Sequence, residues 1–207
     1  IGSAEVTILT DGALAFPPDY FPKTEGTRID SLLEQAGTHD IDTNFNAVLI
    51  RDGGKLTLID AGPRDLFGPS AGFLPEALQE AGVTPAQVNL LFATHLHPDH
   101  IAGMITPSGN AVFPQAELCI TRGEHEFWSD EAATNSAGEP VSDWAALART
   151  VLAAYGDRLR IISEGGEIAP GLTSVSLPGH TPGHSGWRLS SGDSQLIHVG
   201  DIVHAPA

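Results

Sequence analysis

One cysteine, Cys119, serves all 207 residues, so no disulfide can form within the chain. It lies in Ala116-Glu117-Leu118-Cys119-Ile120, a β-favouring stretch that marks it as a core thiol rather than a nucleophile. Basic residues are scarce as well. Ten lysines and arginines face 26 aspartates and glutamates, a formal charge of −16. That balance argues against nucleic acid or an anionic membrane as a partner. Long apolar runs are missing, and none approaches the ~20 residues of a membrane span. A soluble protein of cytoplasm or periplasm is expected. No signal-peptide pattern is present. The chain begins at Ile1 rather than methionine, so a preceding segment is expected to have been removed or left out. The length fits a single domain over residues 1–207, with no repeat or linker.

What is there in abundance is histidine beside aspartate. Ala93-Thr94-His95-Leu96-His97-Pro98-Asp99-His100 places four potential metal ligands within six residues. Leu90-Leu91-Phe92-Ala93 leads in as a buried strand. His95 and His97 are two apart and share one side of an extended backbone. Pro98 ends the strand, and Asp99 is placed to cap a helix starting near His100. Leaving so many polar groups unpartnered beside a hydrophobic strand is costly, and a bound cation removes that cost. Imidazole and carboxylate suit zinc, and also iron, manganese or cobalt.

Around this run the period switches repeatedly between two and 3.6. Strands are expected over 5–10, 46–51, 55–59, 90–93, 117–121, 159–162, 172–177, 186–189 and 196–199. Asp11-Gly12 reads as a turn, and Asp52-Gly53-Gly54 and Ser191-Gly192-Asp193 as hairpins. Helices are expected near 29–36, 74–81, 101–105 and 123–130. The strongest spans Ser142–Tyr155, with Trp144, Leu147, Val151 and Leu152 as its buried stripe. Leu58-Ile59-Asp60 ends a strand on an acid that could orient a ligand histidine. Leu177-Pro178-Gly179-His180-Thr181-Pro182-Gly183-His184 holds two histidines among turn residues, and Leu196-Ile197-His198-Val199-Gly200-Asp201 ends on an acid. Strand ends at one edge of a sheet converge, which is how distant residues assemble a multi-ligand site. His39, His125 and His198 carry no such pattern.

Taken together, these segments resemble the metallo-β-lactamase fold superfamily, whose signature is His-x-His-x-Asp-His, a later His, an Asp and a last His. Thr10-Asp11-Gly12, Leu58–Gly62, Leu66-Phe67-Gly68-Pro69, the 95–100 run and Phe127-Trp128 are similar to the branch of methyl parathion hydrolase and the N-acyl-homoserine lactonases. The resemblance implies an α/β fold, an αββα sandwich with the metals at one edge. It implies two divalent ions, zinc foremost. His95, His97 and His180 would hold the first, Asp99 and His100 the second, and Asp201 would bridge. Asp60 and His184 would be hydrogen-bonding supports, Asp99 would also act catalytically, and Phe67 and Trp128 would line the substrate pocket. Phe16, Tyr20 and Phe21 could complete an apolar mouth.

The implied activity is hydrolysis of a small lactone, ester or phosphotriester by a metal-bound hydroxide, in a protein whose relatives commonly form homodimers. A mononuclear iron sulfur dioxygenase and a non-catalytic metal-binding remnant are the competing readings. The family's last histidine, final strand and helices do not occur before Ala207, so the sandwich is expected to be C-terminally incomplete, with a weak or empty second site. His204 is the candidate substitute ligand. It faces away from Asp201 if the strand continues through it.

Overall fold

The computed structural model describes residues 1–16 and 24–204. Tyr20 and Phe21 lie outside the described residues. Strands β1 (Glu5–Phe16), β2 (Ile41–Asp52) and β3 (Lys55–Ile59) form an antiparallel meander. Parallel to β3 follow β4 (Leu90–Phe92), β5 (Glu117–Thr121) and β6 (Leu159–Ile162), giving a six-stranded sheet in sequential order. A second, antiparallel sheet has the order β10-β9-β8-β7, from β7 (Glu167–Ala169), β8 (Leu172–Ser176), β9 (Ser185–Ser191) and β10 (Ser194–His198).

The period of two decides which face each strand residue serves. Leu49, Leu58, Leu91, Leu118 and Ile120 point to the helices, whereas Val48, Ile50, Ile59, Leu90, Phe92 and Cys119 point to the second sheet. There they meet Ile168, Leu172, Trp187 and Leu189. Because β4 is buried on both faces, it shows no polar alternation, as a central parallel strand should not. Helices α2 (Leu74–Glu80), α3 (Pro98–Ile101), α4 (Arg122–Ser129) and α6 (Val141–Tyr155) bring residues to the helix-side core, and α1 (Gly26–Ala36) packs Ile29 and Leu33 in a small cluster with Ile41. Among the described residues no helix is long and apolar enough to cross a membrane.

Three local expectations are corrected. Asp11-Gly12 is not a turn. β1 runs on to Phe16 through a bulge between Thr10 and Gly12, and Asp11 is fully buried. Asp99 does not cap a helix, because α3 starts at Pro98 with proline in its first turn, which leaves the Asp99 carboxyl to the site. The buried stripe of α6 centres on Ala145, Ala148, Val151, Leu152 and Tyr155, so Trp144 and Leu147 sit half-buried at its flank. Two short elements had no sequence signal: β7 and α5 (Glu131–Ala137).

Candidate metal centre

The C-terminal end of β3, the loops after β4 and β8, and the end of β10 meet at one edge of the sandwich. The two sheets are stitched together there by the Ser185 N–H donating to Thr94 O at 3.0 Å. Most of the buried polar residues gather here: Asp60, Thr94, His95, Glu124, Thr181, His184 and Ser185.

His95 Nε2 lies 3.1 Å from His97 Nδ1, and His97 Nδ1 lies 3.0 Å from His180 Nε2. Zinc–nitrogen bonds of about 2.0–2.1 Å at tetrahedral angles separate ligand nitrogens by about 3.3–3.4 Å, so these three rings fit one face of such a site. A second group joins His95, His100 and Asp201, and a third His180, Asp201 and His204. Asp201 Oδ2 is the shared atom, 3.2 Å from His100 Nε2, 3.3 Å from His204 Nε2 and 3.6 Å from His180 Nε2. Asp99 falls outside these threefold groups, but its Oδ2 is 3.5 Å from His100 Nε2.

His204 does not face away from Asp201. β10 stops at His198, Gly200 turns the chain at φ +57°, and a single 3-10 turn over Gly200–Ile202 brings the two side chains to one side. His39 and His125 stay outside the cluster. His198 stacks on Trp187 at 5.3 Å and accepts the Gly200 N–H.

The electrostatics favour a cation. Burial first, and neighbouring rings second, push His95 well below the ordinary imidazole range. Burial likewise takes His97 to about 3 and His180 to about 4. All three are therefore neutral, the form that ligates. Burial would also neutralise His100, but the carboxylates of Asp201, Asp99 and Asp60 outweigh it and hold His100 protonated well above its usual range. Against burial, His100 and His204 keep Asp201 far below the carboxylate range, and His100 keeps Asp99 lowered too.

Supporting hydrogen bonds fix which nitrogen faces inward. Asp60 Oδ2 accepts from the Thr94 hydroxyl at 2.8 Å and from His100 Nδ1 at 3.0 Å, while Oδ1 accepts the Thr94 N–H at 2.9 Å. Thr94 Oγ1 is in turn 3.0 Å from His95 Nδ1. With its own proton given to Asp60, that hydroxyl accepts from His95 Nδ1–H. One carboxylate therefore holds the Nδ1 proton of His100 directly and sets the tautomer of His95 through Thr94. Asp60 reaches this position in the left-handed region, at φ +58°, which aspartate tolerates better than most residues. His184 donates from Nδ1 to Leu177 O at 2.9 Å, which fixes its ring, and accepts the Asp201 N–H at Nε2 at 3.0 Å, so neither nitrogen is left for a metal.

Sequence reasoning missed Glu124, fully buried behind the cluster and raised by that burial above the usual carboxylate range. Trp128, expected in the pocket lining, packs its ring 5.6 Å from that of His97. Trp128 is 1% exposed, with its indole N–H donated to Glu124 at 2.7 Å. The half-buried aromatic against the site is Trp144, 4.9 Å from the His97 ring. Phe67 is half-buried on Phe45 at 5.2 Å, with Phe16 on Phe45 at 6.3 Å. Cys119 is buried between the sheets, its thiol pushed up to about 11, and it plays no part here.

Residues 42–207 match the sequence pattern of the Metallo-beta-lactamase superfamily. The chain is 26% identical over 177 residues to the probable metallo-hydrolase Rv2300c of Mycobacterium tuberculosis, covering 79% of this chain and 52% of that protein. It thus spans about half the length of such curated relatives. AidC, a dizinc quorum-quenching lactonase solved with the product N-hexanoyl-L-homoserine, superposes with a TM-score of 0.88 at 28% identity, over 98% of this chain and 73% of AidC. The hydrolase AbOPH of the beta-lactamase superfamily does so with 0.88 at 29% identity, over 99% of this chain and 72% of that one.

Proposed function

Since the chain belongs to the metallo-beta-lactamase superfamily, we propose that its histidine–aspartate edge holds two divalent metal ions, zinc foremost, and hydrolyses a small lactone. The observation that carries this reading is the position of Asp201 Oδ2, within 3.2–3.6 Å of imidazole nitrogens on both sides of it. A carboxylate so placed can serve two ions at once. His95, His97 and His180 hold the first, and His100 and Asp99 the second. A divalent pair supplies, when bound, Lewis acidity towards a carbonyl or phosphoryl oxygen and lowers the pKa of water towards about 7.

The chain's own residues do the rest. Asp60 and Thr94 fix protons on His95 Nδ1 and His100 Nδ1, which leaves the Nε2 atoms as the ones offered to a metal. His184 holds the Asp201 backbone. Asp99, its carboxyl at the rim of the second group, is placed to take and pass on a proton during ring opening. Trp144 offers an apolar wall beside His97, suited to an acyl chain. AidC, similar along nearly the whole of this chain, is a lactonase, which favours lactones over esters and phosphotriesters as the substrate class.

The test is a hydrolysis panel of acyl-homoserine and simple lactones, aryl esters and phosphotriesters, with zinc, manganese or cobalt added, alongside metal analysis of the purified protein. Lactone turnover that His97→Ala reduces to background is the expected result. Turnover unchanged in His97→Ala, or one iron per chain with oxygen uptake on a persulfide, would reject the reading.

A further inference from the structure

We infer that Glu124 is a positioning residue for the first metal: its carboxylate clamps together the two loops that carry His95, His97 and His180. Oε2 accepts the Leu96 N–H at 2.9 Å, and Leu96 is the residue between His95 and His97. Oε1 accepts the Gly183 N–H at 3.0 Å and the Thr181 hydroxyl, and Thr181 follows His180 directly. The Trp128 indole supplies the fourth donor, to Oε2. All four donors therefore converge on one side chain that is completely shielded from water.

The surrounding sequence is shaped for this contact. Gly123 and Gly183 cross so closely that a Cβ on Gly183 would run into the backbone of Gly123 and Glu124. The close approach lets the first turn of α4 thread between the two ligand loops. Among the described residues, nothing but this carboxylate bonds both the Leu96 N–H and the 181–183 turn. The 3.0 Å spacing of His97 Nδ1 and His180 Nε2 spans these same two loops. A carboxylate is also the one side chain that supplies four acceptor positions in a plane, so glutamine cannot replace it. Turned one way, its NH2 confronts the Leu96 and Trp128 N–H groups; turned the other, it confronts the Gly183 N–H and the Thr181 hydroxyl must reverse to accept from it.

This inference rests on the metal reading above, and metal affinity tests it. Wild type, Glu124→Gln, Thr181→Val and a core control, Leu78→Ala on α2, are compared by zinc competition against a chelator and by the absorption spectrum of the cobalt-substituted protein. Thermal unfolding of the metal-free forms is measured in parallel. For Glu124→Gln the expected loss of zinc affinity is about 10–100-fold, the usual scale for a support behind metal ligands, with shifted cobalt bands. Thr181→Val, which removes one donor of the four, should lose less and shift the bands in the same direction. Leu78→Ala should lose stability with affinity and spectrum unchanged. Wild-type affinity and spectrum in both Glu124→Gln and Thr181→Val would overturn the inference, and so would an affinity loss no larger than that of Leu78→Ala at an equal drop in melting temperature. If Glu124→Gln fails to fold, Thr181→Val decides alone. A wild-type chain that takes up no metal sinks the metal reading itself.

Discussion

Replacing Asp60 by asparagine exchanges one oxygen for an NH2 group and should disable both halves of the site. The backbone tolerates the change, because asparagine adopts the left-handed region as readily as aspartate does. The side chain does not. Asp60 receives three donors, the Thr94 N–H, the Thr94 hydroxyl and His100 Nδ1, at 2.8–3.0 Å. An amide has one oxygen. Keeping it on the Thr94 N–H turns the NH2 towards the other two. When a metal displaces the proton from His100 Nε2, the remaining Nδ1–H then points at another donor. The Thr94 hydroxyl must accept from the amide and turn its own proton to His95 Nδ1. That drives the His95 proton onto Nε2, the atom facing His97 at 3.1 Å. Two ligating nitrogens are thus compromised by one substitution. Each outer hydrogen bond of this kind is worth about 10–100-fold in metal affinity. A loss near the upper end, roughly 100-fold or about 2.7 kcal/mol, is expected. Chelator competition at neutral pH measures it, and nitrogen NMR of the metal-free protein reads the His95 tautomer. Zinc affinity within twofold of wild type, with His95 still protonated at Nδ1, would refute the relay.

Three further outcomes follow from other parts of the structure. Burial raises the Asp11 carboxyl from 3.8 to about 6, and its Oδ2 has no hydrogen-bond partner among the described residues. A raised acid binds its proton more tightly in the folded state. Its contribution is complete below pH 3.8 and is lost as pH rises through about 6, a swing of about 3 kcal/mol. The stability of Asp11→Asn relative to wild type should therefore climb by about that amount between pH 4 and 7.5 in urea unfolding of the metal-free protein, and a constant difference would contradict it. Gly200→Ala places a Cβ 2.6 Å from His184 Nε2 at φ +57°. It should cost about 1–3 kcal/mol of stability and weaken zinc binding, since His184 holds the Asp201 N–H. Trp144→Ala should raise KM for long-chain lactones about tenfold while leaving kcat for a short one near wild type, and equal effects on both would remove Trp144 from the pocket.

How far the site could be read from the chain depended on whether its cause was local. His95, His97, Asp99 and His100 were legible because their spacing and Pro98 act within one strand end. Asp60 and Asp201 were legible as acids closing apolar strands. Asp11-Gly12 was not, because the same dipeptide makes a turn or a bulge, and only the register against Asn46 and Phe45 of β2 decides between them. The exposure of the two tryptophans was not legible for a similar reason, since both contact the His97 ring but Trp128 is buried and Trp144 half-buried. α4 and α6 each carry one, and which of them stays partly exposed beside His97 depends on how the helices lie on the sheet. His204 depended on whether β10 continued, which Gly200 prevents. Glu124 is the most instructive miss. Gly123-Glu124-His125-Glu126 reads as a solvated helix face, and the one local signal was Trp128 a helical turn later, where its indole reaches Glu124. What draws the carboxylate inward is a set of backbone N–H groups, at Leu96 and Gly183, left without strand partners when the two ligand loops bend away from their sheets. The ligand loops therefore require a buried acceptor somewhere in the chain. Only the tertiary crossing of Gly123 with Gly183 determines that Glu124 supplies it.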